Sequence, residues 1–212
     1  MKIKEILEKN IKWIALFICL VLVIGIVEDV LDKEILKLDI AGYNFVAQYL
    51  ISDNITPIAK IITQFGGVIF LIVISSILLI IIKNKKTGLL IWINLTISTL
   101  LNQILKFIVQ RPRPTEYRII DETGYSFPSG HSMAAMAFYG LIIYYIFENV
   151  KNKKIRNFSC VLLNILILLI GISRIYLGVH YASDVIAGFL ASLVYLIVYI
   201  SIILKLIRIK EK

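Results

Sequence analysis

Residues 88–114 read GLLIWINLTISTLLNQILKFIVQRPRP. A helix needs about 20 mostly apolar residues to cross the roughly 30 Å of hydrocarbon in a bilayer. The run from Gly88 to Ile108 has that length and carries no charge before Lys106. It then gives way to Arg111-Pro112-Arg113-Pro114, where proline cannot continue the helix. The same reading finds five further runs: Trp13 to Val27, Ile58 to Ile82, His131 to Phe147, Phe158 to Tyr176 and Ser183 to Leu204. Composition agrees, since 59% of the 212 residues are hydrophobic and only 17% charged, which is too apolar for an ordinary soluble domain. A mean hydropathy of +0.87 excludes a disordered chain. The expected fold is therefore all-α, a polytopic membrane helical bundle with six transmembrane helices. No internal repeat or linker is evident, so residues 1–212 are expected to form a single integral membrane domain.

The segments between the runs alternate in charge. Lys2, Lys4, Lys9 and Lys12, the Lys83/Lys85/Lys86 loop, the Lys151/Lys153/Lys154/Arg156 loop, and Lys205, Arg208, Lys210 and Lys212 fall on one side. Positive charge in short loops marks the cytoplasmic side, so both termini are expected there. The first run follows a basic segment as a secretory signal would, but no small-residue cleavage site precedes Glu28 and Asp29, and it reads as a retained span. Net charge is +9, yet these charges punctuate apolar runs rather than forming one patch, which argues against nucleic-acid binding. Cys19 and Cys160 both lie in apolar runs, which argues against a disulfide or a cysteine metal site.

The opposite face holds three segments. The stretch from Glu28 to Pro57 is too polar to span and groups Phe45, Val46, Tyr49 and Leu50 at helical spacing. It reads as an amphipathic helix lying in the outer interface with its apolar side down, or else as a loop packed on the bundle. The other two segments, the loop from Arg111 to Gly130 and the short turn around His180, carry reactive residues.

Three clusters stand out on this face. Lys106, Arg111 and Arg113 place basic charge where the topology wants little. Either Lys106 snorkels at a span end, or these groups hold an anion. Phe127-Pro128-Ser129-Gly130-His131-Ser132 reads as a helix start with Ser129 as N-cap. Such a start either simply caps a helix or offers free N–H groups and a dipole to a phosphate, with Gly130 permitting close approach and His131 beside it. Ser173-Arg174 precedes His180 by a short interval, and Asp184 follows four residues later, at the spacing for a hydrogen bond on one helix face. That pair is either structural or an oriented nucleophile. Both histidines of the protein fall in these clusters. One chemistry uses every part. Lys106, Arg113 and Arg174 hold a phosphate, His180 attacks phosphorus in line, and His131 protonates the leaving oxygen. Three cations and backbone N–H groups take the charge-neutralising place of a metal, so neither metal nor other cofactor is expected.

These residues resemble the type-2 phosphatidic acid phosphatase family. Lys106 through Arg113-Pro114 meets its first motif, Pro128 to His131 its second, and Ser173 to Asp184 its third. The resemblance implies phosphate binding by Lys106, Arg113 and Arg174, assisted by Ser129 and Gly130. It implies His180 as nucleophile, Asp184 as its orienting partner and His131 as general acid. Arg111 lies outside the pattern and is expected to face solvent. The implied activity is removal of a terminal phosphate from a membrane lipid at the outer leaflet. Undecaprenyl pyrophosphate, phosphatidylglycerophosphate and phosphatidic acid are the expected substrates, and membrane lipids the surroundings. A lipid A phosphatase and a non-catalytic carrier of anionic lipid are the alternatives, and a haloperoxidase is a weaker one. The carrier explains the cations but not the paired His180 and Asp184. Oligomeric state has no signature in the sequence.

Overall fold

The computed structural model describes the backbone of residues 3–32, 36–116 and 118–210 and, within these, the side chains of residues 10–203. Of the basic residues used to orient the chain, Lys2 and Lys212 lie outside the described residues, as do the side chains of Lys4, Lys9, Lys205, Arg208 and Lys210. All the regular structure among the described residues is helical: α1 (Ile3–Leu31), α2 (Lys37–Tyr49), α3 (Ile55–Gln64), α4 (Val68–Ile81), α5 (Lys85–Val109), α6 (Gly130–Asn149), α7 (Lys153–Tyr176) and α8 (Ala182–Lys210).

Five of these helices are long and apolar enough to cross a membrane, and the bent pair α3 and α4 makes a sixth span. The run expected as one helix from Ile58 to Ile82 is therefore broken, with a 49° bend at Phe65–Gly67. Two consecutive glycines weaken the helix at this point. The bend has a packing cause as well. A Cβ on Gly66 would lie 2.5 Å from Ile170 Cγ2 and 3.4 Å from His131 Cβ, so only glycine lets α3 and α4 close onto α7 and α6 here. Tyr139 of α6 donates its hydroxyl hydrogen to Phe65 O at 2.9 Å, satisfying a carbonyl near the break.

The helices outrun the apolar runs because caps, rather than hydropathy, set their ends. Asn152 accepts from Lys154 N and Ile155 N and starts α7 five residues ahead of the apolar stretch at Phe158, and Asn84 accepts from Lys86 N to start α5. At the other end of α5, Gln110 at φ 52° stops the helix and turns the chain into Arg111-Pro112-Arg113.

α6 sits at the centre, packed against α4, α5, α7 and α8. Its small residues Ala134, Ala135 and Ala137 are buried and let the neighbouring backbones approach, while Phe138 and Leu141 fill the core with Leu71, Ile91, Leu95, Ile167, Ile170 and Leu196. Buried polar groups are tied between helices, as where Asn94 donates to Ala137 O and Ser192 to Met133 O. Outside, Ile69, Ile80, Phe107 and Phe158 are all at least 70% exposed, the surface a lipid-facing protein presents.

α2 is the helix expected between Glu28 and Pro57, but its apolar group divides. Val46 is buried, and it and Leu50 pack on Tyr176, Leu177 and Val179, whereas Phe45 and Tyr49 are exposed. Positions 45, 46, 49 and 50 lie on one stripe, whose 46/50 edge packs on the bundle and whose 45/49 edge is exposed. Cys19 and Cys160 are both free thiols.

Candidate active site

The loop from Gln110 to Ser129, the ends of α5 and α7 and the starts of α4, α6 and α8 meet at one end of the bundle. They enclose a cavity of about 690 Å³ lined by Lys106, Arg113, Glu122, Gly130, His131, Arg174 and His180, among others. All three expected phosphate-binding cations and both histidines thus share one space.

Each cation is held by a different device. Arg113 donates from Nε to Gly124 O at 3.0 Å, from Nη2 to Thr123 O at 2.9 Å and from Nη1 to Val179 O at 2.9 Å, so backbone carbonyls fix its plane. Arg174, 1% exposed, donates from Nη1 to Thr63 Oγ1 at 2.7 Å and from Nη2 to Glu122 Oε1 at 2.5 Å. Its Nε–H is buried with no partner among the described residues. Lys106, from the last turn of α5, donates its ammonium to Tyr125 O.

His180 lies two residues ahead of α8, so it and Asp184 do not share a helix as their spacing implies, yet they meet. Its Nδ1 stands 3.4 Å from Asp184 Oδ2 and 3.3 Å from Ser126 Oγ, and its Nε2 stands 3.2 Å from Arg113 Nη1. Burial pushes the His180 pKa down to about 4, the opposing pull of Asp184 being smaller. The ring is therefore neutral near pH 7. An ionised carboxylate can only accept, so the ring proton sits on Nδ1 and the Nε2 lone pair accepts from Arg113 Nη1.

Ser129 caps α6, accepting from Ser132 N at 3.4 Å, but it is fully buried and does not itself line the cavity. Its contribution passes through the helix start, where Gly130 and His131 do line the cavity. The first residue of α4, Val68, lines it too, so two helix starts converge on the place where the cations meet.

Residues 87–208, more than half of the chain, match the PAP2 superfamily. The chain belongs to the PAP2 superfamily. Among curated relatives, phosphatidylglycerophosphatase B of Bacillus subtilis is 36% identical over 60% of this chain, and the match spans 65% of that relative's length. The undecaprenyl-diphosphatase of Sulfolobus acidocaldarius is 26% identical over 87% of each chain. Among solved structures, the transmembrane PAP2-type phosphatidylglycerolphosphate phosphatase from Bacillus subtilis superposes with a TM-score of 0.75 at 27% identity, covering 92% of this chain and 97% of its own. Aquifex aeolicus LpxE superposes at 0.64 and 21% identity, covering 79% of this chain and 98% of its own, and shares the fold.

In and around this cavity lie three residues that sequence reasoning passed over or misplaced. Arg111 does not face solvent: it is 7% exposed, with Nη1 2.8 Å from Asp184 Oδ1 and Nη2 2.7 Å from Asp39 Oδ2. Burial works against its charge, but Asp184 and Asp39 outweigh this and raise its pKa above the ordinary value. Placing a lone cation beside two prolines in solvent overlooked that a charge breaching the positive-inside pattern needs a buried partner. Asp39 itself gave a weaker signal, an acid inside an otherwise amphipathic helix. Glu122 stands between Arg174 and Arg113, 3.9 Å from the latter. Burial pushes its pKa up, and the hydrogen bond and charge of Arg174 with the charge of Arg113 more than reverse this, holding it below the usual carboxylate range. Among the described residues no group of three or more His, Cys, Asp or Glu is placed to hold a metal ion, and the cations lining the cavity are Lys106, Arg113 and Arg174.

Proposed function

We propose that the protein is a phosphatase that removes the terminal phosphate from a lipid phosphate or pyrophosphate at the outer leaflet through a phosphohistidine intermediate, residues 1–212 acting as one integral membrane unit. The observation that carries this reading is a neutral, carboxylate-oriented imidazole in a cavity lined by three cations, one of which, Arg113, donates to its Nε2. The relatives named for phosphatidylglycerophosphate and undecaprenyl diphosphate support a lipid substrate. So does the rim, because Val68, Ile104 and Phe107 line the cavity and are themselves exposed on the lipid-facing surface. A lipid can then present its phosphate without leaving the bilayer.

In the first step the phosphate sits among Lys106, Arg113 and Arg174, with N–H groups at the start of α6 offering further donors. His180 Nε2 forms a bond to phosphorus as the bond to the lipid oxygen breaks, and His131 gives that oxygen its proton. In the second, water attacks phosphorus, the neutral His131 takes the water's proton, and the P–N bond returns its electron pair to Nε2. Asp184 holds Nδ1–H throughout and balances the positive imidazole of the intermediate. A carrier that only binds the headgroup has no use for this polarised histidine.

The basic residues on alternate loops support cytoplasmic termini and an outward site. The end of α1 and the start of α8 both lie beside the site, where Val30 and Ala187 pack on Phe127, as expected of antiparallel first and last spans. The deciding experiment is phosphate release by the purified protein from phosphatidic acid, phosphatidylglycerophosphate and undecaprenyl pyrophosphate in mixed micelles. Turnover of at least one is expected. Binding of all three with no release by a folded protein would leave the carrier as the better reading.

A further inference from the structure

We propose that Arg111 and Asp39 are positioning residues for the reaction, making the interfacial helix α2 a working part of the catalytic machinery. The inference rests on the reading of His180 as nucleophile and Asp184 as its partner.

Asp184 is fully buried, and its two oxygens have separate duties. Oδ2 receives the Ser126 hydroxyl, Tyr181 N at 2.9 Å and His180 Nδ1. Oδ1 receives Arg111 Nη1 at 2.8 Å. The terminal torsion of aspartate is broad, and rotation about it carries both oxygens together, so a bond at Oδ1 restrains Oδ2 as well. The Arg111 bond at the second oxygen adds a charged anchor to the donors at Oδ2 and stiffens the direction of Oδ2 toward His180. A planar guanidinium suits this task because its fork holds several acceptors at set angles.

Arg111 is immobilised in turn. Its Nη1 also donates to Ser183 Oγ at 2.7 Å, its Nη2 to Asp39 Oδ2 at 2.7 Å, and its guanidinium lies 4.0 Å over the Tyr181 ring. Asp39 is 3% exposed, and its other oxygen accepts from Ser183 N at 2.8 Å. One buried cation thus bridges two buried carboxylates, one from α2 and one from α8.

α2 is seated to make this bridge. Gly42, one turn beyond Asp39, is where α2 meets the start of α8, and a Cβ there would lie 2.8 Å from Ala182 Cβ. Val46, one turn further, is buried against Leu177 and Val179. The chain of contacts from α2 through Asp39, Arg111 and Asp184 to His180 is continuous, with bonds of 2.7 and 2.8 Å at Arg111 and 3.4 Å between Asp184 Oδ2 and His180 Nδ1. None of these groups except His180 lines the phosphate cavity, so their effect falls on turnover rather than on binding.

The test uses full-length protein in phosphatidic acid mixed micelles, with kcat, KM and thermal midpoint measured for each variant. Arg111→Met is expected to lower kcat by about 100-fold, the usual effect of a small misplacement of a reacting group, with KM within about threefold of wild type. It also leaves two carboxylates facing each other, which alone could weaken the fold. The double variant Arg111→Met/Asp39→Asn removes that repulsion. Recovery of thermal midpoint without recovery of kcat is expected. Recovery of both would show that Arg111 merely neutralises Asp39 and would overturn the proposal. Gly42→Val touches no charged group and only wedges α2 away from Ala182. It is expected to lower kcat at unchanged KM, and a folded Gly42→Val with wild-type kcat would overturn the coupling through α2. His180→Ala serves as the reference. If it stays active the underlying reading fails, whereas inactive His180→Ala beside wild-type kcat in the Arg111 variants refutes the positioning role alone.

Discussion

Replacing Glu122 by glutamine should make the site bind inorganic phosphate more tightly. The Glu122 carboxylate accepts from Arg174 at 2.5 Å and lies 3.9 Å from Arg113, two of the three cations assigned to the phosphate. In the resting protein an internal anion therefore occupies part of the cradle, and an incoming phosphate must displace or share it. A hydrogen bond between charged partners contributes about 1.5–3 kcal/mol to a folded protein. Glu122 is 30% exposed, so the low end of that range applies, and about 1.4 kcal/mol corresponds to about tenfold in an equilibrium constant. Glu122→Gln keeps the size and one acceptor of the side chain but removes its charge. The inhibition constant for phosphate, competing with a lipid phosphate at pH 7, should fall by about tenfold. Circular dichroism and thermal midpoint would establish that the variant is folded. An unchanged constant would mean that Glu122 does not compete for the cradle. A raised constant would mean that it orders Arg174 and Arg113 for phosphate, and the competition argument would be wrong.

The two histidines should fail differently: His180→Ala should lose turnover on every substrate, while His131→Ala should slow lipid phosphate hydrolysis by roughly 100-fold to 10,000-fold and keep a larger fraction of rate on p-nitrophenyl phosphate, whose leaving group needs less protonation. An active His180→Ala with His131→Ala dead on both substrates would reverse the assignment. The acid limb of kcat/KM assigned to His180 should lie near pH 4, because its pKa is depressed to about 4 and the neutral ring is the nucleophile. The same depression makes His180 favour folding above its unfolded pKa of about 6.5 and lose that contribution as pH falls toward 4, so a limb near 6.5 would refute a buried neutral nucleophile. Excess EDTA should leave activity intact, and complete loss restored by one divalent ion would contradict charge neutralisation by Lys106, Arg113 and Arg174. A cysteine at Thr123 should react with a membrane-impermeant thiol reagent in intact cells, and labelling only after the membrane is breached would place the site inside.

The sequence was informative wherever chemistry depends on short intervals along the chain. Lys106 and Arg113 are joined by a single helix end and turn, Ser129 to His131 form one helix start, and His180 and Asp184 stand either side of another, so their local spacing already limits where they can meet. Arg111 and Asp39 are different. Seventy-two residues separate them, and nothing local to Arg111 shows that α2 folds back to supply a buried carboxylate. Glu122 is hidden for a similar reason: an acid in a polar loop looks like any solvated residue until the loop closes over Arg174. The break in the second span had a readable mark in Gly66-Gly67, but average hydropathy over the run from Ile58 to Ile82 passes smoothly across two residues that cost little on that scale.

That break bears on how the protein is made. α3 has 10 residues and α4 has 14, and neither alone reaches the about 20 that a stable crossing requires. α3 also carries Lys60, Thr63 and Gln64, so its entry into the bilayer depends on a partner already in place. The partner is α7, which lies almost 100 residues later in synthesis and against which α3 packs. The wall that supplies Thr63 to Arg174 and backs His131 with glycine would thus be completed late in biogenesis, after the last loops have emerged. Mutations on the lipid side of α3 would then reduce the yield of competent protein during insertion, while the molecules that do assemble turn over at the normal rate.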